Sequence, residues 1–340
     1  MLARTVRRWL VPAVLVFAWL CAPGAAAGAE GVRQRSQIAE DLYDVDFVDA
    51  DRGWAVGTFG AVYRTADGGR TWQAQPTPTA QHLYGVSFAD AASGWAVGRS
   101  GEIVHTADGG LHWTEQRSHA HEHLFAVDFI DSREGWAVGD WGVVLHTADG
   151  GATWEDRSLP ADQIVYAVDF LDHGRGWMVG EFGTILHTRD GGQSWVKQDA
   201  GTHKTFFGVA AVSAETAWAV GIDGLVVRTR DGGTSWDLQH GQREAASFEK
   251  GGFAGLLDSP GFYDVEIRGG KGYVVGDVGN VLVSEDGGET WTGSLLPAPW
   301  RLSWIRGLSV LPSGRGMLVG ASGLTFSVDG KQMRFSQLPR

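Results

Sequence analysis

The pentapeptide Gly-Trp-Ala-Val-Gly, or a close variant, recurs with its tryptophan at positions 54, 95, 136, 177 and 218, a constant step of 41 residues. It degenerates to Gly-Tyr-Val-Val-Gly around Tyr273 and Gly-Met-Leu-Val-Gly around Met317, so seven copies fill the chain. A second signature keeps step with the first. It reads Thr65-Ala-Asp67-Gly-Gly-Arg-Thr-Trp72, returns at Trp113, Trp154, Trp195, Trp236 and Trp291, and ends around Asp329 without its tryptophan. A period of this length marks a supersecondary unit that cannot bury its apolar face alone and stacks on its neighbours. In the first unit, Leu42 to Val48, Gly53 to Gly57, Ala61 to Thr65 and Trp72 to Gln75 read as four short strands between Gly- and Asp-rich turns. Such units stacked radially predict an all-β, seven-bladed β-propeller, which leaves only short, protected edges. A linear β-solenoid is the alternative.

The second signature matches the Asp box, Ser/Thr-x-Asp-x-Gly-x-Thr/Ser-Trp, with His112 replacing the hydroxyl residue in the second copy. A short Asp side chain accepts hydrogen bonds from turn amides, glycine supplies positive φ, and the indole packs as a large wedge. Asp67, Asp108, Asp149, Asp190, Asp231 and Asp286 are therefore expected to build hairpins, not to catalyse, and the eleven signature tryptophans to pack between blades.

One cysteine against fifty glycines and sixteen tryptophans leaves packing and turns, not disulfides, to hold the fold. The N-terminus runs from basic (Arg4, Arg7, Arg8) through apolar (Trp9 to Cys21) to small residues (Ala22 to Ala29), the order of a secretory signal peptide cleaved after Ala27 or Ala29. The apolar run is shorter than the ~20 residues of a spanning helix, which disfavours an uncleaved anchor. Trp19 and Leu20 disfavour lipidation of Cys21. The expected organisation is a signal peptide over 1–29, a lead-in over 30–41 and one propeller over 42–340. The segment Val32 to Ile38 is either free or an added edge strand of the last blade. The mature chain is then exported, to a periplasm, a thylakoid lumen or the extracellular space. Removing three arginines and no acid moves the formal charge from −12 to −15, which argues against a nucleic-acid partner.

With both motifs in phase in every unit, the chain resembles the photosystem II stability and assembly factor family of cyanobacteria and chloroplasts, with its bacterial relatives, over roughly residues 41–340. The resemblance implies a non-catalytic, exported, monomeric propeller that binds a membrane-associated protein during complex assembly, with no cofactor. It also implies an arginine-rich binding patch. Arg52, Arg175, Lys271 and Arg315 precede the second-strand glycine in four repeats, but Ser93, Glu134 and Thr216 fill the others. The alternative is a glycan-binding protein or glycoside hydrolase, because Asp boxes also occur in sialidases. Against a sialidase, the six tyrosines share repeat positions with apolar residues and are expected to be core.

Four further groups of residues are candidates for function. Asp46, Ser87, Asp128, Asp169, Ala210, Glu266 and Ser309 are equivalent first-strand positions expected to line a central channel, either as a polar-ligand site or as bonds to neighbouring strands. His119, His121 and His123 alternate on an extended segment and are candidate metal ligands. His105, His146 and His187 read as an exposed stripe. The turns between second and third strands should gather Phe59, Trp141 and Phe182 with Asp140, Glu181, Asp223 and Asp277 on one irregular face suited to a partner. Finally, the step from Trp236 to Trp291 is 55 residues, so 14 extra residues lie within 240–261. Its apolar Phe248, Phe253, Leu256 and Leu257 are expected as a lid or a partner contact, with Arg243, Glu249 and Lys250 as a polar rim.

Overall fold

Each blade is a contiguous stretch of chain whose four antiparallel strands pair strictly in sequence order. The computed structural model describes residues 39–243 and 260–335 and forms seven such sheets. In the first blade the strands are β1 (Leu42–Phe47), β2 (Gly53–Gly57), β3 (Val62–Thr65) and β4 (Gln73–Gln75). The innermost strand of the seventh blade, Ile305–Val310, packs beside β1, and the Phe47 amide donates to Ser309 Oγ at 3.1 Å. The ring is therefore closed, and the solenoid alternative fails. Blade seven is completed by its own outer strand, Gln332–Phe335. The segment 1–29 expected to be a signal peptide, Val32 to Ile38, and the insertion residues Phe248, Glu249, Lys250, Phe253, Leu256 and Leu257 lie outside the described residues.

The pentapeptide is apolar throughout because the second strand is covered on both faces. All five residues of β2 are buried. The terminal glycines are required by close approach: a Cβ on Gly53 would meet the Phe47 ring at 2.6 Å, and one on Gly57 would meet Asp41 O at 2.0 Å. Trp54 stacks on Phe88 of the next blade with centroids 3.6 Å apart, Phe88 meets Trp113 edge-on, and the Trp54 indole N–H donates to Gly109 O at 2.9 Å. Trp95 repeats the arrangement on Phe129 and Gly150. Both signatures thus meet at these two interfaces: the tryptophan of one blade seats against the Asp-box turn of the next.

Within the Asp box the carboxylate is a hub. Asp67 Oδ1 accepts from Thr65 Oγ1 and Thr71 N–H at 2.9 and 2.8 Å, and Oδ2 accepts from Thr71 Oγ1 at 2.6 Å. His112 substitutes for that hydroxyl in the second blade, 2.7 Å from Asp108 Oδ2. These bonds hold the carboxyls of Asp108, Asp190, Asp231 and Asp286 down at about 2. The leading threonine closes the turn: buried Thr188 Oγ1 accepts the Gly192 amide at 2.8 Å and donates to Asp190 at 2.8 Å. Thr188→Val keeps the shape but orphans that buried amide, an expected loss of about 1–3 kcal/mol measurable by urea unfolding, with Thr188→Ser close to wild type.

Candidate functional site

The turns joining second to third strands all share one geometry. Gly57-Thr58-Phe59-Gly60-Ala61 folds back so that the Ala61 amide donates to Thr58 O at 3.1 Å, with positive φ at both central residues, Phe59 (57°) and Gly60 (72°). That is a type I′ turn, whose first central position suits Asn, Asp or Gly. In five of the other blades the equivalents are Ser100, Trp141, Asp223, Val278 and Ser322, and Phe182 takes the same left-handed conformation in the fourth blade. A bulky side chain there is unfavourable by roughly 1–2 kcal/mol. Phe59, Trp141 and Phe182 are nonetheless 73%, 67% and 61% exposed, the most exposed aromatics among the described residues. The amide of the residue preceding the strained one ties back to the foot of the inner strand, as Thr58 to Asp41 O and Asp140 to His123 O, so each aromatic stands on the face of the propeller where the inner strands begin.

Directly below lies a ring that the sequence reading placed in the core. Tyr43, Tyr84, Phe125, Tyr166, Phe207 and Tyr263 are half-buried and line the channel, each in contact with the next at centroid distances of 5.0 to 5.6 Å. The seventh position is Arg306, whose guanidinium lies 4.9 Å from the Tyr263 ring, 5.7 Å from Tyr43 and 5.5 Å from Trp304. Four of the six tyrosines are thus channel lining, not core; Tyr273 is fully buried, its hydroxyl donating to Gly314 O, and Tyr63 packs against a blade core with its hydroxyl on Glu40. Arg306 was missed, although aligning the seventh repeat at Tyr43 finds it. The channel cavity is about 810 Å³.

Deeper in the channel, the ring of polar first-strand residues joins the blades. Asp46, Ser87, Asp128, Asp169, Glu266 and Ser309 each accept an amide of the adjacent blade's inner strand, those of Phe88, Phe129, Phe170, Ala211, Val310 and Phe47, at 2.6 to 3.1 Å. Asp44 and Asp264, which the sequence reading passed over, do the same for Val86 and Leu308. The reading as bonds to neighbouring strands is the one observed. Burial pushes all six carboxyls up: Asp46 and Asp169 to about 6, Asp264 to about 7, and Asp44, Asp128 and Glu266 well above the usual range, despite the amides that favour the charged form.

The histidines depart from expectation. His119 and His121 are exposed, but His119 sits at φ 60°, which breaks the extended alternation that was to align three imidazoles. His123 Nδ1 instead accepts the Ser100 amide at 3.1 Å. Among the described residues no group of three or more His, Cys, Asp or Glu is placed to hold a metal ion. His146 and His187 are buried, the first tilted against Trp136 at 4.3 Å and the second stacked on Trp177 at 4.1 Å, and so do not form an exposed stripe. The arginine patch also dissolves into fold contacts. Arg315 bonds Gly68 O and Lys271 bonds Asp329, each in the next blade's turn, while Arg52 and Arg175 pair with Asp49 and Asp172. Arg243 turns back onto blade five, its guanidinium donating to Trp236 O and its carbonyl accepting Thr202 Oγ1 at 2.7 Å.

Comparison with known proteins adds a family. The model of a family described as photosynthesis system II assembly factor YCF48 matches residues 32–80, 72–159, 152–242 and 200–300. No curated protein matches the sequence. Among solved structures, one titled "YCF48 bound to D1 peptide" is 19% identical with a TM-score of 0.68, over 90% of this chain and 94% of that one. YCF48 from Cyanidioschyzon merolae is 20% identical, TM-score 0.65, over 89% and 98%. A GH74 xyloglucanase from Xanthomonas campestris is 15% identical, TM-score 0.68, over 90% of this chain and 56% of its own, a likeness of fold.

Proposed function

Because the chain belongs to the photosynthesis system II assembly factor YCF48 family, we propose that it is an exported, non-catalytic propeller that binds a segment of a membrane-associated protein during assembly of a complex. The binding face is the channel mouth. The observation that carries the reading is that Phe59, Trp141 and Phe182 are kept exposed in turns that disfavour them. Strain retained at an exposed point, with little packing in return beyond the contact of Phe59 with His82 at 5.0 Å, fits a side chain selected for contact. A preformed aromatic rim over a ring of aromatics supplies large, rigid anchors at low entropic cost. Acids at four successive turns, Asp140, Glu181, Asp223 and Asp277, set the polarity of the rim, with Asp223 partly neutralised by Lys204 at 3.1 Å. A YCF48 relative bound to a peptide supports a peptide-like occupant.

Catalysis is not part of this reading. A glycoside hydrolase needs two unencumbered carboxyls about 5–10 Å apart. In this channel all six acids spend an oxygen on a backbone amide. Purified protein is expected to release no sugar from sialosides or xyloglucan; turnover abolished by a single acidic substitution would overturn this. Binding is tested by affinity capture from detergent-solubilised membranes. One membrane protein should be retained by wild type and by an Arg70→Glu variant of the opposite, Asp-box face, whereas equal capture by a variant with a disrupted mouth would contradict the assignment.

A further inference from the structure

The internal repeat allows the blade interfaces to be compared position by position, and one of them is missing a component. The third strand of the first five blades presents a basic side chain opposite the signature tryptophan: Arg64, His105, His146, His187 and Arg228, paired across the sheet with Trp54, Trp95, Trp136, Trp177 and Trp218. Two of the three that are fully buried meet a carboxylate. Glu134 Oε1 lies 3.5 Å from His146 Nε2, and Glu289 Oε1 lies 2.7 Å from Arg228 Nη1. Around His187 both acids are replaced: Arg175 stands at the repeat position of Glu134, and Thr234 at that of Glu289.

The consequence is an unmet imidazole in a positive setting. His187 is 3% exposed, and its Nε2, like His146 Nε2 and Arg228 Nη1, is buried with no hydrogen-bond partner, but no carboxylate stands beside it as one does beside the other two. Desolvation, with the charges of Arg189 and Arg175, holds its pKa down at about 4. The residue borders a cleft of about 450 Å³ between the fourth blade and the fifth blade's Asp-box turn, whose wall includes Arg189, Lys197, Ser194 and Thr234. The acids on that wall are engaged: Asp190 holds its own turn through Ser194 and Thr188, and Asp199 accepts the Gly201 amide. A buried polar nitrogen without a partner is costly, by about 1–3 kcal/mol, and a group able to accept from the protonated ring removes that cost.

We propose that this cleft binds a small oxyanion, of the carboxylate or phosphate class, which supplies to His187 the negative charge that Glu134 and Glu289 supply at the neighbouring interfaces. Arg189 and Lys197 neutralise its charge, and the Thr234 hydroxyl donates to it from the facing turn. Binding draws a proton onto the imidazole, so that a charge-assisted bond replaces an orphaned nitrogen. The site lies on the Asp-box side of the propeller and stands independently of the channel-mouth reading.

The test is titration of the full-length protein with sodium acetate and, separately, inorganic phosphate, at constant ionic strength set with chloride. The imidazole resonances are followed by NMR, and His187 is assigned from its absence in His187→Gln. A saturable shift of the His187 signal with either probe, accompanied by a rise in its pKa and weakened roughly ten-fold or more in Arg189→Gln/Lys197→Gln, establishes the site, and the effective probe identifies the class. Both replaced residues are exposed, so that variant reports on binding without threatening the fold. No saturable shift with either probe, or one that persists undiminished in the double variant, overturns the proposal.

Discussion

Replacing Phe59, Trp141 and Phe182 together by asparagine is expected to abolish partner capture while leaving the propeller at least as stable as wild type. The two effects have opposite signs because the residues serve binding at the expense of folding. At φ near +55° a bulky side chain is unfavourable, and asparagine relieves strain on the order of 1 kcal/mol per turn. The same change removes three aromatic anchors, and anchors of this type contribute about 1–2 kcal/mol or more each, so the combined loss of affinity is roughly a hundred-fold or greater. Thermal unfolding and capture, measured on one preparation, separate these outcomes. A variant that binds normally would remove the mouth from the account, and one that unfolds would show that the aromatics stabilise the fold.

The channel acids give the second large effect, a stability that rises on acidification. Asp46 and Asp169 titrate near 6 and Asp264 near 7 in the folded protein, against about 4 in the unfolded chain, because the channel desolvates them. A group that binds its proton more tightly when folded stabilises the fold below its unfolded pKa, and that contribution is lost as pH rises through 6 to 7. The midpoint of thermal unfolding should therefore climb from pH 8 to pH 5. The Asp boxes act in the opposite sense. Their carboxyls, held at about 2, support the fold above pH 4 and lose that support as pH falls toward 2, which places the optimum near pH 4 to 5. Asp46→Asn/Asp128→Asn/Asp169→Asn keeps an oxygen for the amides of Phe88, Phe170 and Ala211 but removes the buried charge. It should raise the midpoint at pH 8 and flatten the profile. The corresponding alanine variant loses the interblade bonds and should be less stable across the range, by roughly 0.5–1.5 kcal/mol per site.

Periodicity made the blades legible. A step of 41 residues carried in phase by two signatures specifies both the unit and its stacking, and the exposed turn residues follow from their place in the unit. Side-chain environment was legible only where the repeat determined it. Period-two alternation puts Tyr43 on the face of buried Val45 and Phe47, but the ladder shifts register between Leu42 and Asp44, and this bulge, which the pattern does not announce, leaves the ring in the channel. His146 and His187 look like an outward stripe for a related reason: the indole that covers each comes from the adjacent strand, where spacing in sequence carries no signal. His119 broke its expected alternation through a single left-handed residue, which nothing in the local composition announces. Arg306 stayed hidden because the seventh repeat has lost most of the signature that would have aligned it.

The central claim, that the channel mouth is a docking face for a membrane-associated protein, is tested most directly by photocrosslinking in the native cell. A photoreactive phenylalanine analogue placed at position 141, where the native indole is already exposed, should yield one predominant adduct with a membrane protein on irradiation. The same analogue at position 70, on an exposed Asp-box turn at the opposite end, should not give that adduct. The same adduct from both positions, or from position 70 alone, would contradict the account.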